Sequence, residues 1–197
     1  MRTILARWGL AVAALLVSGC AGTDFVRPDT SFLVNGQTTY AQIVARMGMP
    51  RREGTVLKND KTVNTATYAY ATAGGQPHHT GVTPARAIGF YLLGGTLVGH
   101  EFISSFAEDH SDFDENRVKD IVKGKTTRAE LTQMLGRPSG AYIYPMIKAQ
   151  TGEAAVYAYA ETTGSVFNLK FFRKTLVVTF DAAGVATDVE YASSGNQ

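Results

Sequence analysis

The stretch KGKTTRAELTQMLGRP (residues 123–138) has a near-copy, NGQTTYAQIVARMGMP (residues 35–50), which aligns with it without a gap. The two copies lie 88 residues apart and share glycine, threonine, alanine and proline at equivalent positions. An internal repeat of this kind governs the interpretation of the whole chain, because each copy is expected to form the same supersecondary unit. We therefore predict a fold built from two related halves.

Each copy carries the signals of a short helix with both ends specified. The T-x-x-Q/E pattern of a capping box occurs at residues 39–42 and again at residues 127–130. Apolar residues then recur at helical spacing, and a glycine followed two residues later by a proline closes both copies. The pattern predicts one short capped helix in each half.

The second copy continues with the patterns of strands. VYAYA (156–160) alternates tyrosine with small side chains, as a half-buried strand does. TLVVTF (175–180) is rich in β-branched residues, and VATDVEYA (185–192) follows it after the turn sequence DAAG (181–184). Upstream of the motif, the apolar residues of RVKDIVKG (117–124) are spaced for a second helix. This copy therefore predicts two helices followed by a three-stranded antiparallel meander.

The repeat extends beyond the helix motif, because TYAYA (67–71) in the first copy echoes VYAYA in the second. We predict an α+β fold of two tandem units, each with two helices on one face of a three-stranded antiparallel sheet. The units are expected over residues 30–106 and 107–197, and the second is the more regular of the two.

The first copy ends differently, in ARAIGFYLLGGTLVGHEFISSF (85–106), of which residues 87–99 hold almost no polar side chain. Three interpretations remain open: a buried strand pair that turns at Gly94 and Gly95, a helical hairpin of small residues, or an exposed apolar loop. An exposed patch of this size would indicate contact with a membrane or a partner. On that interpretation the contact candidates are Phe90, Tyr91, Leu92 and Leu93.

Residues 1–19 have the pattern of a signal peptide, with two arginines, the apolar run GLAVAALLV (9–17) and small residues before a cleavage site. The apolar run is too short to span a bilayer, which takes about 20 residues. VSGC (17–20) resembles the bacterial lipobox, in which the cysteine becomes the first mature residue and carries the lipid. The chain has one cysteine, Cys20, and it stands where a lipobox requires it.

Acyl chains such as palmitate on Cys20 would hold the protein at a membrane surface. Alanine follows Cys20, whereas an aspartate there would resemble the signal for retention in the inner membrane. We therefore expect residues 20–29 to form a lipidated tether, and we expect the protein to lie on the periplasmic face of the outer membrane.

The charge balance argues against a nucleic-acid partner. The 197-residue chain has a net charge of +2, and removal of the predicted signal peptide with its two arginines leaves 17 basic and 17 acidic side chains. Proteins that bind nucleic acids need a basic face. The composition is otherwise that of a globular protein, with 45% hydrophobic and 18% charged residues.

Together these features resemble the SmpA/OmlA family of small outer-membrane lipoproteins, which are BamE-like. The resemblance rests on four segments: V-x-x-I at residues 118–121, G-x-T-x-x-x-x-L-x-x-x-L-G-x-P at residues 124–138, the tyrosine-rich strand at residues 157–159, and T-F-D-x-x-G-V at residues 179–185. It covers most of the second copy and part of the first.

The resemblance implies two helices packed on a three-stranded antiparallel sheet in each copy. It also implies a protein-binding or scaffold role in outer-membrane β-barrel assembly or in envelope integrity. This chain departs from the family in having two copies of the domain, and in having tyrosines where the middle strand often has tryptophan. Tandem copies of the unit are also similar, at the level of the fold alone, to the β-lactamase inhibitor proteins, which present a concave sheet.

The sequence has no G-x-S-x-G, Walker or H-E-x-x-H motif. We interpret the adjacent His78 and His79 as part of a solvated loop, because neighbouring residues of a strand point to opposite faces. The acidic run EDHSDFDE (108–115) lacks the glycine and the terminal glutamate of a calcium loop and is interpreted as a linker. We therefore expect no enzyme activity, no cofactor and no metal site.

Two functions are compatible with these patterns. The first is a non-enzymatic outer-membrane lipoprotein that binds an envelope protein as a scaffold subunit, with the β-barrel assembly machinery as the candidate partner. The alternative is a periplasmic inhibitor or ligand-binding protein that uses a concave sheet formed by both copies. Tyrosine is favoured at interfaces, so the further contact candidates are Tyr68, Tyr70, Tyr157 and Tyr159.

Overall fold

The computed structural model describes residues 22–165 and 167–195, so the predicted signal peptide and Cys20 lie outside the described residues. Within the described part, eight strands form one antiparallel sheet in which each strand pairs with its neighbours in the sequence. The strands are β1 (Arg52–Lys58), β2 (Lys61–Ala71), β3 (Ala85–Leu93), β4 (Thr96–Ser104), β5 (Gly140–Tyr142), β6 (Glu153–Ser165), β7 (Asn168–Phe180) and β8 (Ala186–Gly195). The helices are α1 (Tyr40–Met47), α2 (Arg128–Leu135) and two 3₁₀ helices, Thr30–Phe32 and Glu115–Asp120.

The prediction of two tandem two-layer α+β units is wrong. The sheet is continuous and curls into a half-barrel, and helices account for only 14% of the described residues. The two halves are joined by β5, where Gly140 pairs with Glu101 of β4 on one side and with Val156 of β6 on the other. A strand of three residues is too short to give a periodic signal in the sequence, which is why this connection was missed.

The apolar segment of the first copy forms the buried strand pair, one of the three interpretations that the sequence left open. Strands β3 and β4 meet at Gly94 and Gly95, whose φ angles of 59° and 83° suit a two-residue hairpin turn. Phe90 and Leu92 on β3 are buried. The hairpin is apolar on both faces because both faces of this part of the sheet are covered.

The capping boxes are confirmed at both helices. The Thr39 N–H donates to Gln42 Oε1 at 2.8 Å, and the Thr127 N–H donates to Glu130 Oε2 at 2.8 Å. In each helix the threonine hydroxyl also accepts from the backbone of the third residue, which completes the reciprocal pair. The additional helix predicted before the second motif is a 3₁₀ helix, Glu115–Asp120, with no buried residue.

Equivalent hydrogen bonds recur in the two halves. The Tyr68 hydroxyl donates to the carbonyl oxygen of Gly48 at 2.7 Å, and the Tyr157 hydroxyl donates to that of Gly136 at 3.0 Å. In both halves, therefore, a strand tyrosine fastens the C-terminal end of the capped helix to the sheet. The sequence repeat is thus also a repeat of side-chain contacts.

The helices lie on the outer face of the half-barrel and cover one apolar cluster in each half. Ile43 of α1 and Leu131 of α2 are fully buried beneath them. The first outer cluster comprises Leu33, Ile43, Ala66, Tyr68, Ile88, Phe90, Leu92, Leu97 and Phe102. The second comprises Phe113, Ile121, Leu131, Ala155, Tyr157, Leu176, Val178, Phe180 and Ala186.

The inner face holds a third apolar cluster, to which both halves contribute, with Val63 and Val98 from the first and Val156 from the second. Neighbouring strands run in opposite directions, so β2, β4, β6 and β8 all have their C-terminal ends on the same side of the sheet. We call this side, where these four strands end, the upper edge. Residues 143–149 contribute to the cluster at the opposite edge. There the Asn59 amide donates to the carbonyl oxygens of Pro145 and Ile147.

We predict that Tyr68→Phe and Tyr157→Phe each lower the free energy of unfolding by about 1 kcal/mol, because each leaves a helix-end carbonyl without its donor. The matched control is Tyr144→Phe, whose hydroxyl is exposed and lies 3.5 Å from its acceptor. Urea denaturation of the three variants is the measurement. Equal losses in all three would contradict the assigned role of the repeated tyrosines.

Candidate functional site

Residues 22–29 are packed against the sheet at its upper edge and do not form a free tether. Gly22 has a φ of +74°, and a Cβ on it would lie 2.1 Å from the carbonyl oxygen of Ala69 near the end of β2. The ring of Phe25 packs edge-on against Phe102 with 6.5 Å between centroids. The first described residue is therefore fixed at the upper edge by backbone contact, with an aromatic contact three residues later.

Arg86 holds this segment from inside the protein. Its side chain is only 3% exposed and lies over the Phe106 ring at 4.0 Å. One guanidinium nitrogen donates to the Phe25 carbonyl oxygen at 2.7 Å, and another pairs with Glu108 at 2.7 Å. A buried guanidinium needs such partners, because an unpaired buried charge is costly.

The β6–β7 hairpin extends beyond this edge and exposes apolar side chains. Its last paired residues are Ser165 and Asn168. Phe167 at the turn is 96% exposed, and Phe171 on β7 is 63% exposed. Leu169 between them is also exposed, so the tip carries an apolar surface that nothing in the described structure covers.

A cavity of about 320 Å³ opens on the inner face near the upper edge. Small side chains from both halves form much of its wall, among them Ala69, Ala87 and Ala160. The charged residues along it are Arg51, Arg86, Glu161 and Arg173. The loop between β2 and β3 crosses to β6 beside it, where the Thr83 N–H donates to the Thr162 carbonyl oxygen at 2.8 Å.

A charged network crosses the inner face below the cavity, with Glu101 and Tyr142 buried and Arg173 exposed. Glu101 of β4 accepts a hydrogen bond from the Tyr142 hydroxyl at 2.6 Å and one from Arg173 of β7 at 2.7 Å. Burial, together with the Glu101 carboxylate, raises the pKa of the Tyr142 phenol, which stays protonated as a donor. The network ties the first half to the second and orients Arg173 at the cavity wall.

The structure does not support an interface role for most of the contact candidates predicted from the sequence. Tyr68, Tyr157 and Tyr159 are at most 7% exposed. Phe90 and Leu92 are also buried, so these side chains reach a partner only if the sheet opens. Tyr70, Tyr91 and Leu93 are half-buried and do not form a common exposed patch with the others.

Sequence reasoning missed the residues that do shape the site. Arg173 and Glu101 lie 72 residues apart in the chain and meet only because β5 joins the halves. Phe171 belongs to NLKFFRK, which continues directly into the predicted strand TLVVTF. The aromatic residues just before that strand, Phe167 and Phe171, were the signal in the sequence that could have indicated a projecting hairpin.

Comparisons of the chain with protein-family models, with curated proteins and with solved structures found no match. The resemblance to outer-membrane lipoproteins therefore stays a prediction from the sequence motifs. None of the helices in the described part of the chain is both long enough and apolar enough to cross a bilayer.

His100 gives the fold a measurable dependence on pH. Burial, reinforced by the guanidinium groups of Arg27 and Arg137, lowers the pKa of His100 from 6.5 to about 4. Below pH 6.5 the unfolded chain therefore binds a proton that the folded protein does not, so the folded state loses stability as the pH falls towards 4.

We predict that titration of this single group lowers the free energy of unfolding by about 2 to 3 kcal/mol between pH 7 and pH 4.5, and that this loss is absent in His100→Gln. The measurement is the free energy of unfolding at both pH values for the two proteins. Because the other titrating groups are common to both, the difference isolates His100. Identical pH dependence in the two proteins would show that the pKa of His100 is not lowered in the folded protein.

Proposed function

We propose that the chain is a non-enzymatic, lipid-anchored binding protein of the bacterial envelope, with its upper edge towards the membrane. The observation that carries this proposal is the position of Gly22 at the upper edge, two residues after the predicted acylation site, Cys20. Two residues span at most about 7 Å. A lipid on Cys20 would therefore hold the upper edge beside the headgroups.

The exposed hairpin tip supports the same orientation. It lies at the upper edge and presents Phe167, Leu169 and Phe171 next to the exposed Lys170. Phenylalanine and leucine side chains insert at the boundary between headgroups and acyl chains, and lysine beside them favours anionic headgroups. In this orientation the tip enters the membrane surface as a second contact beside the acyl anchor.

The inner cavity is the ligand site that we propose for this anchored protein. Its volume lies at the lower end of the range for small-molecule sites. Alanine methyl groups would contact an apolar chain, while the exposed Arg51 would attract an anionic head. The ligand class that suits this combination is a fatty acyl group with a carboxylate or phosphate. This proposal gives the ligand-binding alternative a specific site. The side chains that would contact the ligand on the concave face are alanines, not the tyrosines predicted from the sequence.

We predict that Cys20→Ser releases the protein from the membrane fraction into the soluble periplasm. The expected cause is loss of the acyl chains, which each contribute about 0.8 kcal/mol per buried CH₂ group. Fractionation and mass spectrometry of the N-terminal peptide are the measurements. Phe167→Ser is the companion variant, and it should stay membrane-bound. An unmodified cysteine in the wild-type protein would refute the anchor.

We predict that the protein binds a fluorescent fatty-acid analogue and that Ala87→Leu weakens this binding by about tenfold, because the larger side chain fills the cavity. Ala45→Leu is the matched control, since Ala45 is exposed on α1 and far from the inner face. Arg51→Gln should weaken binding of the acid but not of the corresponding fatty alcohol. Equal affinities for Ala87→Leu and Ala45→Leu would exclude the cavity as the site.

The second candidate function is the protein-binding scaffold subunit predicted from the sequence. The exposed apolar tip favours it, because a membrane-embedded protein could cover Phe167 and Phe171 as well as lipid does. Failure of the fatty-acid analogue to bind, with the anchored protein co-purifying with the β-barrel assembly machinery, would favour this function over the ligand-binding one.

A further inference from the structure

Two loops at the upper edge are fastened together and bring distant polar side chains into contact. The loop that follows β2 pairs with the chain that leaves β4: the His78 N–H donates to the Ser105 carbonyl oxygen at 2.8 Å, and the Ala107 N–H donates to that of Gln76 at 3.0 Å. Pro77 and Phe106 form a β-bridge between these two bonds. The backbone of His78 is therefore held in place although its side chain is exposed.

This pairing places His78 and His79 beside Asp112. The three side chains each offer one ligand atom, and these atoms all lie within 4.8 Å of one another. The closest pair, His79 Nε2 and Asp112 Oδ2, is 2.9 Å apart. In a tetrahedral zinc site, bonds of 2.0–2.1 Å put neighbouring ligand atoms about 3.4 Å apart. The ligand atoms in the structure therefore lie close to the spacing of a zinc site.

We propose that His78, His79 and Asp112 form a binding site for a divalent transition metal of the zinc class. Two imidazoles and one carboxylate are a ligand set that suits Zn²⁺ better than Ca²⁺ or Mg²⁺, which prefer oxygen ligands. Three protein ligands leave the fourth tetrahedral position to water. The site lies on the loops, separate from the residues that line the inner cavity.

The surroundings of Asp112 hold its carboxylate in a suitable orientation. Asp112 Oδ1 accepts from the Phe113 N–H at 2.9 Å and pairs with Lys174 Nζ at 2.7 Å. Lys174 is itself buried and also donates to the Phe113 carbonyl oxygen. Because Oδ1 is engaged in this way, Oδ2 is the oxygen that faces the histidines and is available to the metal. Such supporting contacts orient metal ligands and strengthen binding.

His110 supports the other side of the site. Its ring stacks on that of His78 with 3.6 Å between centroids and 7° between planes. The stack restricts rotation of the His78 ring without using its nitrogen atoms. Three of the four histidines of the chain are thus gathered at this one place.

The interpretation of His78 and His79 as an ordinary solvated loop assumed that adjacent residues diverge. They do not diverge here, because the segment bends away from strand geometry after Pro77 and the two rings lie 4.3 Å apart. Asp112 comes from a segment 33 residues further along the chain, so no local motif could indicate it.

The test is calorimetric titration of the purified, detergent-solubilised protein with Zn²⁺. We expect one saturable site per chain and binding at least about tenfold weaker in Asp112→Asn and in His79→Ala. The matched control is Asp114→Asn, which removes the same charge two residues away and keeps the acceptor for the Asn116 N–H. This control should bind Zn²⁺ as the unaltered protein does.

A second measurement keeps the proposal testable if a variant folds poorly. In the unaltered protein, Zn²⁺ should shift the imidazole NMR signals of His78 and His79 and leave that of the buried His100 unchanged. Absence of saturable binding would overturn the proposal. So would equal affinities for Asp112→Asn and Asp114→Asn, or equal shifts of all the histidine signals, which would indicate only adventitious binding.

Discussion

The architecture depends on the hydrogen bonding of three residues in β5. Gly140 lies so close to β4 that a Cβ on it would stand 1.9 Å from the His100 carbonyl oxygen, so only glycine permits the pairing. On the other strand, Gly99 leaves room for the ring of Tyr142, which a Cβ there would approach to 2.5 Å. Without this junction, β4 and β6 would each present an unpaired edge, and the two halves would be separate sheets.

The junction also brings together charged side chains of the two halves on the inner face. Glu101 belongs to the first half and Arg173 to the second, and their contact closes the curl of the sheet from inside. Glu101 is buried whereas the Arg173 side chain is 47% exposed, so loss of Arg173 would leave the Glu101 carboxylate buried without its cation, which is costly. The pair therefore specifies how the halves meet, and it sets the position of the guanidinium at the cavity wall. Neither half could form this cavity alone.

Local signals in the sequence predicted local structure well. The capping boxes and the strand positions β6 to β8 depend on residues within a few positions of each other, whereas the Gly94–Gly95 hairpin was one of three interpretations left open. The single sheet, the inner cavity and the histidine cluster depend on contacts between residues far apart in the chain, for which one sequence holds no pattern. The tyrosines show the limit within a strand: alternation predicted that Tyr157 and Tyr159 share a face, but not that this face is the helix-covered one. The bond from Tyr157 to the end of α2 decides it.

The docked N-terminal segment limits where such a protein can act. A flexible tether lets a domain sample many orientations and distances from its anchor. Here the chain is held from Gly22 onwards, and Arg86 secures it through the Phe25 carbonyl oxygen. If Cys20 carries a lipid, the sheet has one orientation and its upper edge stays at the membrane surface. The cavity, the apolar tip and the paired loops all lie at that edge, so under the proposed anchor each of them would face the membrane surface.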